Sequence, residues 1–465
     1  MLLLRCLAAS ASTGAASLAR GVTRLPAAAT AAAAAAPPAL KPEPPAVQQL
    51  LWRRHYTSSR PSAAGADAGA AGSAGEEEAQ LFIGGYTPIT KKLWVQRRNT
   101  AKQGSSAPAP PAIVDGSRPP RAVSVVYNFT TDRALQDMYR NPWGSMRVGR
   151  LLEDLDSLAG NVAFEHCYTG AALPLLVTAA VDEISLRHPL RLERDIVVRG
   201  QVVWTGKSAL DIRMQLFQEQ HGPDPSVEAL FSFVHLDPTT RKAAPAVQLR
   251  PETAADAEVF RQRQAVADAR RAARQQQQQG SCGDVQAVPL EARDAMSGWV
   301  RAARRLQELP ALAPTDAVLM PKTCQHNTFV CQPQHRNTHG RVFGGFLMRR
   351  AYELAFATSY MFGGARPVFQ LVDEITFSRP VDVGDLLRLT STVVHAKQLD
   401  ERRGRVVVEV EARVTKPEAV ESFVTNTFTF VYNLESPPGA PPLRIKSVLP
   451  TCDEEALRRW RSQPL

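Results

Sequence analysis

The feature that most constrains the fold of this 465-residue chain is an internal repeat. The stretches "RNPWGSMRVGRLLED" (140–154) and "RNTHGRVFGGFLMRR" (336–350) share one skeleton, and equivalent residues lie 196 positions apart (337 minus 141). Four pairs follow this spacing: Asn141 and Asn337, Gly144 and Gly340, Gly149 and Gly345, and Leu151 and Leu347. The motifs "VDEI" (181–184 and 372–375) and "FSFV" or "FTFV" (231–234 and 428–431) recur in the same order. The chain is therefore predicted to contain two copies of one unit.

Each copy has the pattern of an α+β unit. An apolar segment with helical periodicity follows the glycines, and alternating strands such as "RGRVVVEVEARVT" (403–415) come after it. One long helix with a strand-rich remainder requires an antiparallel sheet that covers the helix. We therefore predict two tandem units, at residues 121–237 and 311–435.

The first 60 residues have the composition of a targeting sequence. They are rich in Ala and Ser, and they carry seven Lys or Arg against one acid, Glu43. This pattern predicts a mitochondrial transit peptide and a matrix location, with a plastid as the alternative because the segment is so rich in Ala. The opening "MLLL" is broken by Arg5 and is far shorter than the roughly 20 apolar residues of a membrane span, so no span is predicted.

Three further segments flank the predicted units. Residues 61–120 are rich in Ala, Gly and Pro and are predicted to be a flexible linker, although the apolar piece "LFIGGYTPI" (81–89) could pack on the folded units. Residues 238–310 contain "AEVFRQRQAVADARRAARQQQQQ" and are predicted to be a helical, low-complexity insertion, either solvated or docked on a protein surface. Residues 436–465 form the predicted C-terminal tail.

Charge and cysteine spacing exclude some classes of function. The formal net charge is +10, but residues 1–60 contribute +6 of it, and the remaining +4 is too small to indicate a polyanion partner. We therefore predict no nucleic-acid partner. The six cysteines form no CxxC pair and no spacing typical of a zinc site, so neither a metal site nor a disulfide framework is predicted.

The repeated motifs resemble those of a known family, the tandem hotdog-fold acyl-coenzyme A thioesterases, and most closely their mitochondrial acyl-CoA thioesterase 9 type. The similarity lies in "MRVGRLLEDLDSLAGNVAFEHC" (146–167), "NTHGRVFGGFLMRRAYELAF" (337–356) and the two "VDEI" strands, and it covers about residues 121–235 and 320–435. It implies two hotdog domains, each an antiparallel sheet wrapped around a long central helix, with the active site between them. It also implies hydrolysis of acyl-CoA to fatty acid and coenzyme A without a metal or redox cofactor, and further association into a homo-oligomer.

The candidate active site combines residues from both copies. On a helical wheel Asp156 lies about 40° from Leu152, at the edge of an apolar stripe, whereas Glu153 is predicted to lie on the polar face. The resemblance marks Asp156 as the catalytic carboxylate and Asn337 as its partner. Asp156 would act as general base on the attacking water. The helix that begins at Gly344 and Gly345 would offer unpaired N–H groups to the developing oxyanion.

The second pairing is predicted to be degenerate. Asp156 lies seven residues after Gly149, but seven residues after Gly345 stands Tyr352, followed by Glu353. Asn141 would therefore face Tyr352 and Glu353 instead of a correctly placed carboxylate. His339, Arg349 and Arg350 are candidates for contacts with coenzyme A.

Two other classes of function remain open from the sequence. A hotdog enoyl-CoA hydratase also binds acyl thioesters but relies on an acid–histidine pair. A non-catalytic acyl-CoA-binding or structural protein could retain the same core. No Ser or Cys recurs at a spacing that would support a Ser-His-Asp triad.

Overall fold

The computed structural model describes residues 86–103, 113–170, 173–279, 288–312, 314–337, 340–373 and 375–463. The predicted transit peptide lies outside these ranges, as does the first part of the predicted linker. The prediction of an α+β fold with two tandem hotdog domains is confirmed. None of the described helices carries an apolar stretch long enough to cross a bilayer.

The helices and strands follow the duplication. The first part of the described chain contains α1 (Pro88–Gln103), β1 (Ser117–Arg118), β2 (Val123–Tyr127), α2 (Arg133–Met138), α3 (Val148–Cys167), β3 (Leu175–Leu186), β4 (Ile196–Thr205), β5 (Ala209–Phe217), β6 (Val227–Leu236), β7 (Gln248–Leu249) and α4 (Ala254–Gln279). The second part contains α5 (Leu290–Glu308), β8 (Ala317–Leu319), β9 (Gln325–Val330), α6 (Gly344–Gly363), β10 (Pro367–Val372), β11 (Ile375–Thr376), β12 (Leu386–Gln398), β13 (Arg403–Lys416), β14 (Glu421–Glu435), β15 (Ser447–Leu449) and α7 (Asp453–Arg461).

One antiparallel sheet runs through both hotdog domains. Its order is β2-β4-β5-β6-β3-β10-β14-β13-β12-β9, with β11 added to β3, so the two halves repeat one strand order about a pseudo-two-fold axis. At the seam Ile184 is paired with Val372, and Val181 with Ile375. The "VDEI" motif therefore recurs because the first residue of each copy pairs with the last residue of the other.

The long helices α3 and α6 pack against each other beneath this sheet. The prediction that Glu153 lies on a polar face is wrong, because its side chain is completely buried. Helix α3 is enclosed by the sheet, by α6 and by α1, so it has no solvent-exposed face over most of its length. Burial raises the pKa of Glu153 to about 7, and the Arg349 guanidinium, 3.0 Å away, acts to lower it.

Two equivalent glycines allow the close approach of α3 and α6. A Cβ on Gly345 would lie 2.9 Å from the backbone oxygen of Glu153 and 2.7 Å from the Phe343 ring. A Cβ on Gly149 would meet only side-chain atoms within 3.4 Å, those of Arg349 and Tyr352, each at 3.2 Å. The glycine at 345 is thus required by helix packing against a rigid backbone group, which cannot move aside as a side chain can.

Replacing Gly345 with alanine should destabilise the protein more than replacing Gly149. Overpacking of this kind typically costs about 1–3 kcal/mol, and we expect Gly345→Ala to fall in that range. Gly149→Ala is the matched control, because the arginine stem it meets can shift. Thermal and denaturant unfolding would measure both. If Gly345→Ala and Gly149→Ala lost the same unfolding free energy, the proposed backbone clash at position 345 would be contradicted.

The segment predicted to be a flexible linker contains a docked helix. In α1, Ile89, Leu93 and Trp94 are buried. Thr87 and Thr90 donate hydrogen bonds to the buried carboxylate of Asp154. The linker prediction fails over residues 86–103 because the average composition of 61–120 masks a local pattern in which residues 87, 90, 94 and 97 share one helical face.

Helix α4 lies in the predicted insertion and is fastened to the sheet. Arg263 lies 2.8 Å from Asp211 and 3.0 Å from Asp182, and Arg270 lies 2.7 Å from Asp182. The duplication also extends past the predicted domain ends, since β1 pairs in parallel with β7 and β8 with β15. The insertion therefore contributes structure to the outside of the sheet.

Candidate active site

A cleft of about 1340 Å³ lies between the two hotdog domains. Asp156 reaches it from α3 in the first domain, whereas Asn337 and Gly344 reach it from the loop before α6 and from the start of α6 in the second. The residues predicted from opposite copies of the repeat therefore line one cavity.

Asp156 is buried and hydrogen-bonded at both carboxylate oxygens. It is 1% exposed, Thr178 donates to its Oδ1 at 2.9 Å, and the Gly345 N–H donates to its Oδ2 at 2.7 Å. Burial raises the pKa of Asp156 to about 6, although both hydrogen bonds and the charge of Arg97 act to lower it. Each oxygen of a carboxylate can accept a second hydrogen bond, so a water molecule in the cleft could still be bound.

The N-terminus of α6 points into this site. The preceding residue, Phe343, makes no side-chain capping hydrogen bond. The N–H of Gly345, predicted to serve an oxyanion, donates to Asp156 and so positions the carboxylate. A Cβ on Gly344 would lie 3.1 Å from Asp156 Oδ2, so glycine there keeps the space beside the carboxylate open.

Asn337 organises the turn that leads into α6. Its backbone N–H donates to the Arg341 carbonyl at 2.6 Å, and its side-chain Oδ1 accepts from the Arg341 N–H at 3.2 Å. Gly340 closes the turn with a φ of +84°, a conformation that favours glycine. Both asparagine and glycine thus have a structural reason to be present, in addition to the role that the resemblance implies for Asn337 as the partner of Asp156.

Asn141 builds the same turn in the first domain. Its Oδ1 accepts from the N–H groups of Trp143 at 3.0 Å and Ser145 at 2.9 Å, and Gly144 has a φ of +79°. The two loops are therefore closely similar in geometry. The difference between the two sites lies in what faces each loop.

Aromatic rings fill the place across from Asn141. Tyr352, the counterpart of Asp156, is buried among Phe356, Phe369, Phe430 and Tyr432. Phe356 stands at the position equivalent to Gly160, which is open to the cleft in the first domain. Glu353 is turned away to Arg147, with a nitrogen–oxygen distance of 2.7 Å.

The residues predicted to contact coenzyme A lie in different places. His339 lies outside the described residues. Arg349 is largely buried between α3 and α6 and paired with Glu153. Arg350 lies 3.5 Å from Glu353, and its guanidinium carbon lies 5.2 Å from the centroid of the Phe329 ring. The lining of the cleft does not include Arg349 or Arg350.

Other arginines line the cleft and were not singled out from the sequence. Arg241, Arg336 and Arg379 are exposed residues that line it. They lie after β6, before Asn337 and after β11, so only the fold brings them together. A fourth, Arg341, is paired with Asp382 at 3.5 Å.

Helix α1 forms a wall of the cleft that sequence analysis missed. Tyr86, Trp94 and Arg97 line the cavity, and the Tyr86 hydroxyl donates to the Arg336 carbonyl at 3.0 Å. The rings of Tyr86 and Trp94 pack edge to face with each other and with Phe343. The helical spacing of residues 87, 90, 94 and 97 was the available signal.

Comparison with known proteins agrees with this arrangement. The thioesterase superfamily model matches residues 148–223 and 339–421, one segment in each hotdog domain. Acyl-coenzyme A thioesterase 4, mitochondrial, from Humulus lupulus is 40% identical over 83% of this chain and 75% of its own length. Acyl-coenzyme A thioesterase 2, chloroplastic, from the same plant is 37% identical over 84% and 91%. Acyl-coenzyme A thioesterase 9, mitochondrial, from Homo sapiens is 33% identical over 67% and 71%.

Two thioesterase segments in tandem, joined by one continuous sheet, define a double hotdog thioesterase. The similarity to the plant and animal proteins extends over most of the chain, at 33–40% identity. The chain belongs to the acyl-coenzyme A thioesterase family.

Proposed function

We propose that this protein hydrolyses acyl-CoA to a free fatty acid and coenzyme A in the cleft between the two hotdog domains. The observation that carries the proposal is the position of Asp156, a buried carboxylate that binds the Gly345 N–H at the N-terminus of α6. Relatives that cover most of the chain are acyl-coenzyme A thioesterases.

The reaction requires a base, a site for the oxyanion and a bound water molecule. Asp156 takes a proton from the water as the water oxygen attacks the thioester carbonyl carbon. The positive end of the α6 dipole and the amide of Asn337 stabilise the negative charge on the carbonyl oxygen. When the tetrahedral intermediate collapses, the carbon–sulfur bond breaks, and the proton held by Asp156 passes to the coenzyme A sulfur.

The cleft suits both ends of the proposed substrate. Apolar residues of α3, β3, β6 and the segment before β3 line one part: Phe164, Leu173, Pro174, Leu175, Val177, Phe233 and Leu236. These could hold an acyl chain by the hydrophobic effect. The arginines Arg241, Arg336 and Arg379 could bind the phosphates of coenzyme A, since guanidinium groups form charge-assisted hydrogen bonds with phosphate.

The joint replacement of Arg241, Arg336 and Arg379 with glutamine should raise KM by about tenfold or more and change kcat little, because these residues would bind groups distant from the reacting carbon. Steady-state thiol release would measure both constants. Arg366→Gln is the matched control, since Arg366 is an exposed arginine beside Trp143 and does not line the cleft. A fall in kcat with an unchanged KM would contradict the phosphate assignment.

The pH dependence of catalysis should report the ionisation of Asp156. Only the carboxylate can accept a proton, and burial raises the pKa of this group to about 6. The value of kcat/KM should therefore be constant above that pH and fall about tenfold per unit below it. A profile measured between about pH 4.5 and 8.5 would test this. A profile without a descending acid limb would contradict the assignment of Asp156 as the base.

The activity itself can be tested with a colorimetric thiol reagent on short-, medium- and long-chain acyl-CoA. We expect thiol release, and we expect it to persist after treatment with a chelator, since no metal or other cofactor is proposed. Failure to release thiol from any chain length would overturn the proposal. Hydration of an enoyl-CoA without thiol release would support the hydratase alternative.

Location and assembly are also proposals. We infer import into the mitochondrial matrix, supported by the composition of residues 1–60 and by the mitochondrial names of several relatives. A chloroplastic relative keeps the plastid as the alternative outcome. Imaging of a fluorescent fusion would distinguish the two. We further propose a homo-oligomer of tandem hotdogs, which light scattering of the purified protein would test.

A further inference from the structure

Helix α1 packs against α3 in a way that α6 could not reproduce. Two side chains of α3 accept hydrogen bonds from this segment: Asp154 accepts from Thr90 and from Thr87, just before α1, and Asn161 accepts from Arg97. The residues of α6 at the corresponding positions are Arg350 and Ala357, which cannot accept such bonds through their side chains. These two side-chain acceptors are therefore present on the helix that carries Asp156 and absent from its counterpart.

The Arg97 guanidinium lies next to the place where a side chain at position 160 of α3 would begin, if that residue were not glycine. Its Nη2 donates to the Ser157 carbonyl at 2.5 Å, and its Nε donates to Asn161 Oδ1 at 3.0 Å. The same Nη2 lies 3.1 Å from where a Cβ of Gly160 would stand. The guanidinium therefore fills the space directly above Gly160, and it lines the same cleft as Asp156.

Helical geometry brings this guanidinium close to the proposed base. Residues 156 and 160 are four apart on one helix, so their Cβ positions lie about 5–6 Å from each other on one face. A positive charge at the position of a residue-160 side chain is therefore a near neighbour of the Asp156 carboxylate. In the second domain the equivalent position carries Phe356, which brings no charge to Tyr352.

The other groups around Asp156 do not take the place of this charge. Thr178 on β3 and the Gly345 N–H on α6 are neutral donors. On α3 itself, Asp154 is satisfied by hydroxyl groups, and Glu153 is paired with Arg349 of α6.

The remaining charged groups are Glu165, further along α3, and the cleft arginines. Glu165 lies 3.7 Å from Arg121. Arg241, Arg336, Arg341 and Arg379 also line the cleft. Among the described residues Arg97 is the charged group that lowers the pKa of Asp156. Burial lowers the pKa of Arg97 itself to about 10, with Asp156 and Glu165 raising it, so the guanidinium is charged at neutral pH.

We propose that Arg97 is a positioning residue of this active site, and that α1 serves to hold its fixed positive charge beside Asp156 so that the buried carboxylate stays ionised. This inference rests on the proposed function, because it assigns Arg97 a role through the base of that reaction. It gives a reason for glycine at position 160, since a Cβ there would lie only 3.1 Å from the Arg97 Nη2. It also gives α1 a catalytic purpose beyond covering the core.

The test compares neutral and charged replacements of Arg97 in the full-length protein. Arg97→Gln and Arg97→Met remove the charge, and the methionine keeps an apolar stem over Gly160. Arg97→Lys loses the same two-point hydrogen bonding to Ser157 and Asn161 but keeps a positive charge. A purely structural role would affect all three variants, whereas the proposed role depends on charge alone.

The acid limb of the kcat/KM profile is the measurement. We expect it to move to higher pH by about one unit in the neutral variants, as is typical when a carboxylate loses a close opposite charge. Activity near pH 5.5 would then fall about tenfold while the high-pH plateau is retained. In Arg97→Lys the limb should stay at the wild-type position. The inference would be overturned if the acid limb of the kcat/KM profile kept its wild-type position in both neutral variants, or if it moved equally in all three variants.

The wild-type enzyme separates this inference from the proposed function. A wild type that releases no thiol overturns the proposed function. An active wild type whose acid limb is insensitive to the charge at position 97 leaves the thioesterase activity intact and overturns only the role of Arg97.

Discussion

The Asp156→Asn variant should lose thioesterase activity, with kcat lower by about 10²–10⁴-fold, the range typically contributed by a positioned general base. Asparagine has almost the same shape as aspartate: its amide oxygen can accept from the Gly345 N–H, and its NH2 group can donate to the Thr178 hydroxyl, which can turn to accept, so the cleft should be retained. It cannot take a proton from water. Thiol release measured at saturating acyl-CoA would give the loss of kcat.

Stability provides the second measurement for this variant. A carboxyl group whose folded pKa is about 6, against about 3.9 unfolded, stabilises the folded state below the unfolded pKa and loses that contribution as the pH rises through the folded pKa. Ionised Asp156 therefore lowers the free energy of unfolding at neutral pH, by an amount on the order of 2–3 kcal/mol. Asparagine removes this cost, so the variant should be at least as stable as the wild type at neutral pH.

The control for Asp156→Asn is Asp182→Asn, which replaces an aspartate in the ion pairs that hold α4 outside the cleft. It should retain kcat. An Asp156→Asn enzyme with wild-type kcat would contradict the proposed mechanism. A variant that is inactive and also unfolded would point to a structural role for the carboxylate.

The Asn337→Ala variant should lose about 10²-fold or more in kcat, because removal of one donor to a developing oxyanion typically costs 10²–10³. Asn141→Ala is a closely matched control. Each asparagine braces an equivalent turn through its Oδ1, to the Arg341 N–H in one case and to the Ser145 N–H in the other. The structural consequences of the two substitutions should therefore be similar, and the difference in kcat isolates the chemical role.

The outcome of this pair decides between one working site and two. If Asn141→Ala loses as much kcat as Asn337→Ala, the assignment of the first loop to a degenerate site is wrong. The structure supports the unequal pairing, since Tyr352 and Phe356 fill the space across from Asn141. Glu353, the carboxylate next to Tyr352, is paired with Arg147.

Much of the fold followed from periodicity and duplication. The spacing of "NxxG" and "VDEI" predicted two units of one kind, and alternating strands predicted the sheet that covers each long helix. The placement of Asp156 and Asn337 in one cleft was also predicted, although they are far apart in sequence, because the family resemblance implied a site between the two units and marked these two residues.

Other features depended on contacts that no local pattern contains. The helical wheel placed Glu153 toward solvent, but α1 and α6 enclose α3 from the sides that the wheel treats as exposed. Gly345 was predicted to offer an unpaired N–H to the oxyanion, whereas its N–H anchors Asp156 and its lack of a side chain is required by the nearby Glu153 carbonyl. Arg349 was a candidate for contact with coenzyme A, but it is paired with the buried carboxylate of Glu153.

By itself, the sequence determined that the protein is a tandem α+β chain, because hydrophobic period and turn glycines are local properties and a repeat is visible when the chain is aligned with itself. The candidate pair Asp156 and Asn337 came from the family resemblance. Only the tertiary structure decided how α1 docks, which arginines share the cleft and what the repeated "VDEI" strands do. Those features arise from the packing of segments far apart in sequence, where burial and charge depend on neighbours that come from elsewhere in the chain.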